Sequence, residues 1–244
     1  MNNTAQRQEL LRCLADMQRW DLLNPSGGAA SVRLNDGTVL ISTTGLASQG
    51  WRLSLRDFIQ LAPDDGRIIE QTGGLGASGT PLHLALYRAV PAAGAIVHAH
   101  APYSLVFASL GLPVPAVTAR CDLIGAIPCL AADDSRIKAE YRRSPHPVEL
   151  PEGMVQRPEV ALINIDHYQP QVTELAAELG ESFAFRGLAC TLYRHGLFVA
   201  ARDLDQARDL AMRVEESARI ALYQAQLAPS ISHIRSNALY PATA

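Results

Sequence analysis

Apolar residues at positions 10, 11, 14 and 17 recur at helical spacing, and this pattern predicts an amphipathic helix from Thr4 to Leu23. Thr4 is the expected N-cap, but Arg7 stands where Glu or Gln would complete a capping box. The run "NPSGGAAS" then breaks the period and reads as a loop. "SVRL" and "GTVLIST" follow as strands joined through "NDG", a hairpin signal. "LSLRDFIQLAPDDGRII" reads as a short helical turn and one further strand with a "DG" turn. "GTPLHLALYRAV" is predicted helical, with Thr80 as cap, Pro81 in the first turn, and Leu82, Ala85, Leu86 and Val90 on one face.

The pattern continues with a strand over "AGAIVHAH" and a helix over "APYSLVFASL". Residues 131–158 are irregular and hold four of the fifteen prolines, which marks an insert of the kind that often carries function. "EVALINI" reads as a strand, "QPQVTELAAELGE" as a helix and "LACTLYRHGLFVAA" as a strand pair. A closing helix is predicted from Asp203 to Leu227, with Asp203 and Gln206 as a capping pair. Hairpins and helices without regular βαβ alternation predict a mixed sheet flanked by helices.

Composition narrows the classes. The 244 residues are 48% hydrophobic and 18% charged with net charge -3, so a sizeable core is affordable and no basic patch points to nucleic acid. No apolar run reaches membrane-spanning length, and the polar N-terminus is unlike a signal peptide. The cysteines at 13, 121, 129 and 190 form no CxxC pair and read as reduced thiols of a cytoplasmic protein.

Candidate chemistry begins at "AIVHAH", residues 95–100. On a strand His98 and His100 share a face, with Cα atoms roughly 6 to 7 Å apart, so both imidazoles can reach one ion. The alternative is a pair of hydrogen-bonded histidines at a sheet edge. "RHGLFVA" sets His195 at another strand boundary, and three imidazoles with an open position suit a catalytic divalent metal.

The succession "NPSGGAASVR", "VLISTTG", "ASGTPLHLALYRAVP", "AIVHAHAPYS" and "RHGLFVAARDLDQA" before a final helix resembles the class II aldolase/adducin family over nearly the whole chain. That family includes sugar-phosphate aldolases, ribulose-phosphate 4-epimerases and decarboxylases. The resemblance implies an α/β fold: a three-layer α/β/α domain spanning 1–244 with a central mixed, largely antiparallel sheet. It implies a divalent metal held by His98, His100 and His195, commonly zinc, with Mn, Co or Fe as alternatives. It further implies a homo-oligomer, a tetramer favoured, with sites near subunit interfaces.

The sequence departs from the family pattern at informative places. The resembling aldolases carry an acid before the second helix, and here Gly79 holds that position. Loss of such a base costs about 10² to 10⁴ in a step that depends on it. Ala29 and Ala77 replace polar phosphate contacts, leaving Ser26, Gly28, Thr44, Gly45 and Ser78 as substrate-binding candidates. An unphosphorylated carboxylate is therefore the expected substrate, with Arg120, Arg142 or Arg143 to grip it. Ala119 stands near a tyrosine proton donor of some aldolases, and His146 and His167 are candidate acids in its place. His83 reads as a helix-packing residue. Decarboxylation needs no base to begin, so a decarboxylase of a hydroxy-aromatic or oxo acid is expected. Competing readings are an aldolase on a hydroxy-oxo acid whose base is His146 or Glu149, an Fe(II)-dependent oxygenase, and a non-catalytic binding protein.

Overall fold

The computed structural model describes residues 3–25, 27–43, 45–72, 74, 76–77, 79–130 and 168–236. The irregular insert, the "EVALINI" strand, Ser26, Thr44, Ser78, Arg142, Arg143, His146, Glu149, His167 and the tail beyond 236 lie outside them.

Helix α1 spans Thr4–Arg19 and buries Arg7, Leu10, Cys13, Leu14 and Met17. Its N-cap is Asn3, not Thr4, and no side chain caps it. The reason is Arg7: Asn3 Oδ1 accepts from Arg7 Nε at 2.7 Å instead of turning to the helix end. Arg7 also donates to the carbonyls of Leu55 and Phe58 and pairs with Glu70 at 2.8 Å. The helix ends four residues before the expected Leu23. Asp21 adopts φ 57°, its N–H meets Gln18 O, and Leu22 N–H reaches back to Met17 O. This is a Schellman stop built without the glycine that usually announces one.

Strands β1 (Gly28–Arg33) and β2 (Val39–Ser42) form the expected hairpin, closed by Leu34 and Thr38 with Gly37 at φ 85°. The next segment gives two strands rather than one, β3 (Phe58–Leu61) and β4 (Ile68–Gln71). In place of the short helix before them, Asp57 Oδ2 accepts from the N–H and hydroxyl of Ser54, a side-chain turn that competes with helix. Helix α2 is Thr80–Ala89, with Gly79 at the N-cap. Thr80 is one residue inside, its hydroxyl donating to Ala77 O at 2.6 Å.

Strand β5 (Ala95–Ala99), helix α3 (Pro102–Leu110), a short helix α4 (Ala119–Asp122) and strand β6 (Cys129–Leu130) follow. After the insert come α5 (Gln169–Leu179), a one-turn α6 (Phe183–Arg186), β7 (Leu188–Leu192), β8 (Gly196–Ala201) and α7 (Leu204–Ser236). Asp203 caps α7 by accepting from Gln206 N at 2.8 Å, as its sequence spacing predicts.

The eight strands make one sheet in the order β4-β3-β2-β1-β5-β8-β7-β6, antiparallel except between β6 and β7. Alternation along each strand splits the core in two. Val39, Ile96, Cys190, Phe198 and Ala200 pack with α2 and α5 on one face. Leu40, Val97, Leu197 and Val199 pack with α1 and α7 on the other. The result is the three-layer α/β/α arrangement, with β1 and β5 at the centre of the sheet and β8 beside them. Among the described residues no helix is long and apolar enough to cross a membrane.

Candidate metal centre

The central strands bring the histidines together. His98 lies opposite Ala29 of β1 and Phe198 of β8. His100 is one residue past the end of β5, and its carbonyl accepts from Asn24 Nδ2 at 2.8 Å. His195 closes the β7–β8 turn, where Arg194 takes the left-handed conformation at φ 58°. Arg194 N donates to Ala108 O of α3, and His195 N to Leu192 O. A left-handed arginine costs roughly 1–2 kcal/mol, the sort of local strain kept where it aims a side chain.

The three rings converge. Centroids are 4.7 Å apart for His98 and His100, 4.8 Å for His98 and His195, and 5.1 Å for His100 and His195. One nitrogen from each lies within 4.8 Å of the others. Two nitrogens on a tetrahedral zinc sit about 3.4 Å apart, which falls within that range. His98 lies against Phe198, centroids 4.0 Å apart at 9°, and runs nearly parallel to His195 at 4.8 Å and 15°, while Phe198 and His195 are 6.0 Å apart.

The donor chemistry fits a metal. His98 Nε2 is buried and has no hydrogen-bond partner, an expensive state that a ligand would relieve. Burial pushes His100 down to about 4 and His195 to about 3, with His100 adding to the effect on His195. Burial, reinforced by His100, His195 and His83, holds His98 well below its ordinary value. All three are therefore neutral near pH 7, the form in which imidazole binds a cation. Among the described residues the cluster gathers imidazoles and no carboxylate.

Glycines make room for it. A Cβ on Gly196 would lie 2.5 Å from Ala99 O, 3.3 Å from His100 Cδ2 and 3.4 Å from His98 Nε2. The glycine after His195 thus lets β8 start against the rings. A Cβ on Gly27 would stand 3.8 Å from His100 Cε1, which puts the first glycine loop beside the cluster. Gly28 pairs with Ala99, and a Cβ there would meet Leu23 and the His98 carbonyl. Gly45, at φ 85°, follows Thr43, which bridges to Gly76. That bridge carries the "STTG" turn to the segment that leads into Gly79. A Cβ on Gly79 would be 3.3 Å from His98 Nδ1 and 3.6 Å from Phe198 Cζ.

Arg120 is placed elsewhere. It is exposed on α4 and lines a cavity of about 1190 Å³ with Trp20, Asn24, Tyr103 and Glu215, a wall that includes none of the three histidines. Sequence reasoning missed two contributors. Phe198, one apolar residue in the "GLFVA" run, carries no sequence signal that it would stack on His98. Glu215 carries none either, yet its carboxylate accepts from Tyr103 N at 2.7 Å and Ser104 N at 2.8 Å. It thereby caps α3 two residues after His100.

Residues 8–222 match the family model described as the class II aldolase and adducin N-terminal domain. The chain belongs to this family. The class II aldolase assignment agrees with its relatives. L-ribulose-5-phosphate 4-epimerase UlaF of Salmonella paratyphi C is 26% identical over 232 residues, covering 93% of this chain and 89% of that protein. Among solved structures, YgbL of Klebsiella pneumoniae, described as a putative aldolase/epimerase/decarboxylase, superposes with a TM-score of 0.63 at 20% identity, covering 92% of this chain and 91% of that one. L-fuculose-1-phosphate aldolase from Thermus thermophilus gives a TM-score of 0.59 at 22% identity and covers 96% of both chains. These structures share the class II aldolase fold.

Proposed function

We propose that this class II aldolase family member is a metal-dependent carbon–carbon lyase, and within that class a decarboxylase of an unphosphorylated hydroxy-aromatic or oxo carboxylic acid. His98, His100 and His195 hold the divalent ion, with zinc the best match to an all-imidazole set. Bound there, the ion supplies Lewis-acid stabilisation of negative charge developing on the substrate. For an oxo acid the bond from substrate carbon to carboxylate breaks, its electron pair stays on the substrate as an enolate, carbon dioxide leaves, and a proton from water returns to carbon. For a hydroxy-aromatic acid the carbon that bears the carboxylate first takes a proton from water, and loss of carbon dioxide then returns the electron pair to the ring as phenolate.

The observation that supports this reading is Gly79. The position at which resembling aldolases carry their acid faces His98 Nδ1 here, and it has no side chain. Aldol chemistry needs a group to take a proton; the departure of carbon dioxide does not. Phe198 and the buried β5–β8 surround keep His98 and His100 out of bulk water, with His195 partly buried, which strengthens any charge interaction at the site. Gly27 and Gly28 stand beside His100 and the His98 carbonyl and, with Gly45, would line the substrate's approach, with Ser26, Thr44 and Ser78 supplying polar contacts. The protein acts as a cytoplasmic homo-oligomer, a tetramer favoured.

Elemental analysis of the purified protein, combined with carbon dioxide release from a panel of hydroxy-aromatic and oxo acids, tests the reading. Stoichiometric metal with carbon dioxide release supports it. Metal-dependent turnover of sugar phosphates alone would sink it in favour of an epimerase or aldolase. That second reading draws on the UlaF relative, whose similarity extends over 93% of the chain.

A further inference from the structure

Behind the histidine cluster lies a polar string inside the α2 face of the sheet. His83 of α2 is fully buried, with Nδ1 2.7 Å from Ser31 Oγ of β1. Ser31 Oγ is in turn 3.0 Å from the hydroxyl of Tyr87, one helical turn beyond His83. Tyr87 is itself anchored: Arg33 donates to its carbonyl at 2.8 Å and lies over its ring at 4.7 Å. His83 thus has little freedom to turn. Its other nitrogen, Nε2, is buried with no hydrogen-bond partner.

An unpartnered buried nitrogen costs roughly 1–3 kcal/mol, and a leucine of similar size would avoid that cost. The compensating contact is Phe198. His83 meets the Phe198 ring edge-on, with centroids 5.9 Å apart at 72°. An edge-to-face pair of rings at this distance is an attractive arrangement. Phe198 in turn stacks on His98, with centroids 4.0 Å apart at 9°. The rings therefore form a chain of contacts from the tethered residue through Phe198 to His98.

We infer that His83 is a positioning residue, tethered by Ser31 and Tyr87, which fixes the plane of Phe198 and through it the ring of His98, so that the cluster is set before metal arrives. The readout toward metal rests on the metal reading above; the readout on the metal-free chain does not. The tether carries a clear chemical requirement: a side chain at 83 that both holds Ser31 and presents a flat edge to Phe198. His83→Leu keeps the volume and loses both, and His83→Phe keeps a ring and loses the tether.

The test uses the full-length protein in three measurements: melting temperature of the metal-free chain, affinity for Co(II) and its visible absorption spectrum, and ¹⁵N-histidine NMR of the metal-free chain. Both variants are expected to melt within about 3 °C of the parent, to bind Co(II) about tenfold more weakly with an altered spectrum, and to shift and broaden the ring-nitrogen signals of His98. Tyr87→Phe is expected to show the same changes in smaller size. Unchanged His98 signals in both His83 variants overturn the inference. So does a cobalt affinity within twofold of the parent, because His83 would then be core packing. If the parent binds no metal while the His98 signals still change in the variants, the metal reading fails and the positioning role stands.

Discussion

Gly196 and His98 are locked together by the absence of a single carbon: a Cβ on Gly196 would sit 3.4 Å from His98 Nε2 while colliding with the Ala99 carbonyl at 2.5 Å. Both contacts cannot relax at once, because Ala99 pairs with Leu197 of β8 in the same ladder. Gly196→Ala should cost about 1–3 kcal/mol of stability. It should also lower metal affinity at least tenfold, since the start of β8 carries His195 with it. Chemical denaturation and chelator competition measure the two effects separately. A variant that binds metal as the parent does would show that β8 can move without disturbing the rings.

Gly79 invites the opposite experiment. Its φ of -77° accepts any residue, and it is the N-cap of α2, where a carboxylate is favoured by the helix end. The added Cβ would be close to His98 Nδ1, at 3.3 Å, so the neighbour must give by a few tenths of an ångström. Gly79→Glu is expected to bind metal about tenfold more tightly and to release carbon dioxide at least tenfold more slowly, because a carboxylate now stands beside His98. Tighter metal binding with undiminished carbon dioxide release would argue that substrate does not use this space.

Acid should unfold the metal-free chain in a particular window. Burial holds His83 and His195 near 3 and His100 near 4, against about 6.5 for imidazole in an unfolded chain. Between these values the unfolded state binds protons that the folded state refuses. Stability is therefore full above about pH 6.5 and falls as pH drops toward 4, by about 1.4 kcal/mol per pH unit for each such imidazole. Urea midpoints at pH 7.5, 6.5 and 5.5 should decline slightly over the first interval and mainly over the second. A flat profile across it would mean that the imidazoles are open to water.

Much of this site was legible because it rests on strand arithmetic. The HxH spacing at the end of an apolar strand, and a histidine before a glycine at the start of another, put His98, His100 and His195 at neighbouring ends of central strands. The helices were legible through their apolar stripes, but their ends were less so. Asp21 does the work of a glycine at the end of α1, and Asn3 is diverted from capping by Arg7. No local pattern encodes such choices, because Arg7 is explained only by carbonyls at Leu55 and Phe58, some fifty residues away. Phe198, His83 and Glu215 were hidden for the same reason. Each looks ordinary on its own element and acquires a role through a partner on another.

Glu215 offers a test of how far the metal ring depends on the frame around it. Burial raises its carboxyl above the ordinary value, against the pull of the Tyr103 and Ser104 N–H groups that donate to it. Those two N–H groups open α3, immediately after the His100–Ala101 corner. Glu215→Ala leaves both without this acceptor and should cost about 1–3 kcal/mol; Glu215→Gln keeps one acceptor oxygen and should cost less. Because His100 sits at that corner, Glu215→Ala should also weaken metal binding several-fold. Arg7→Met supplies the comparison: it strips contacts from Leu55, Phe58 and Glu70, far from the rings, and should destabilise by a similar amount. With stability matched in this way, a fall in metal affinity for Glu215→Ala but not for Arg7→Met would locate the effect at the corner. Equal losses in both would reduce Glu215 to a general stabiliser.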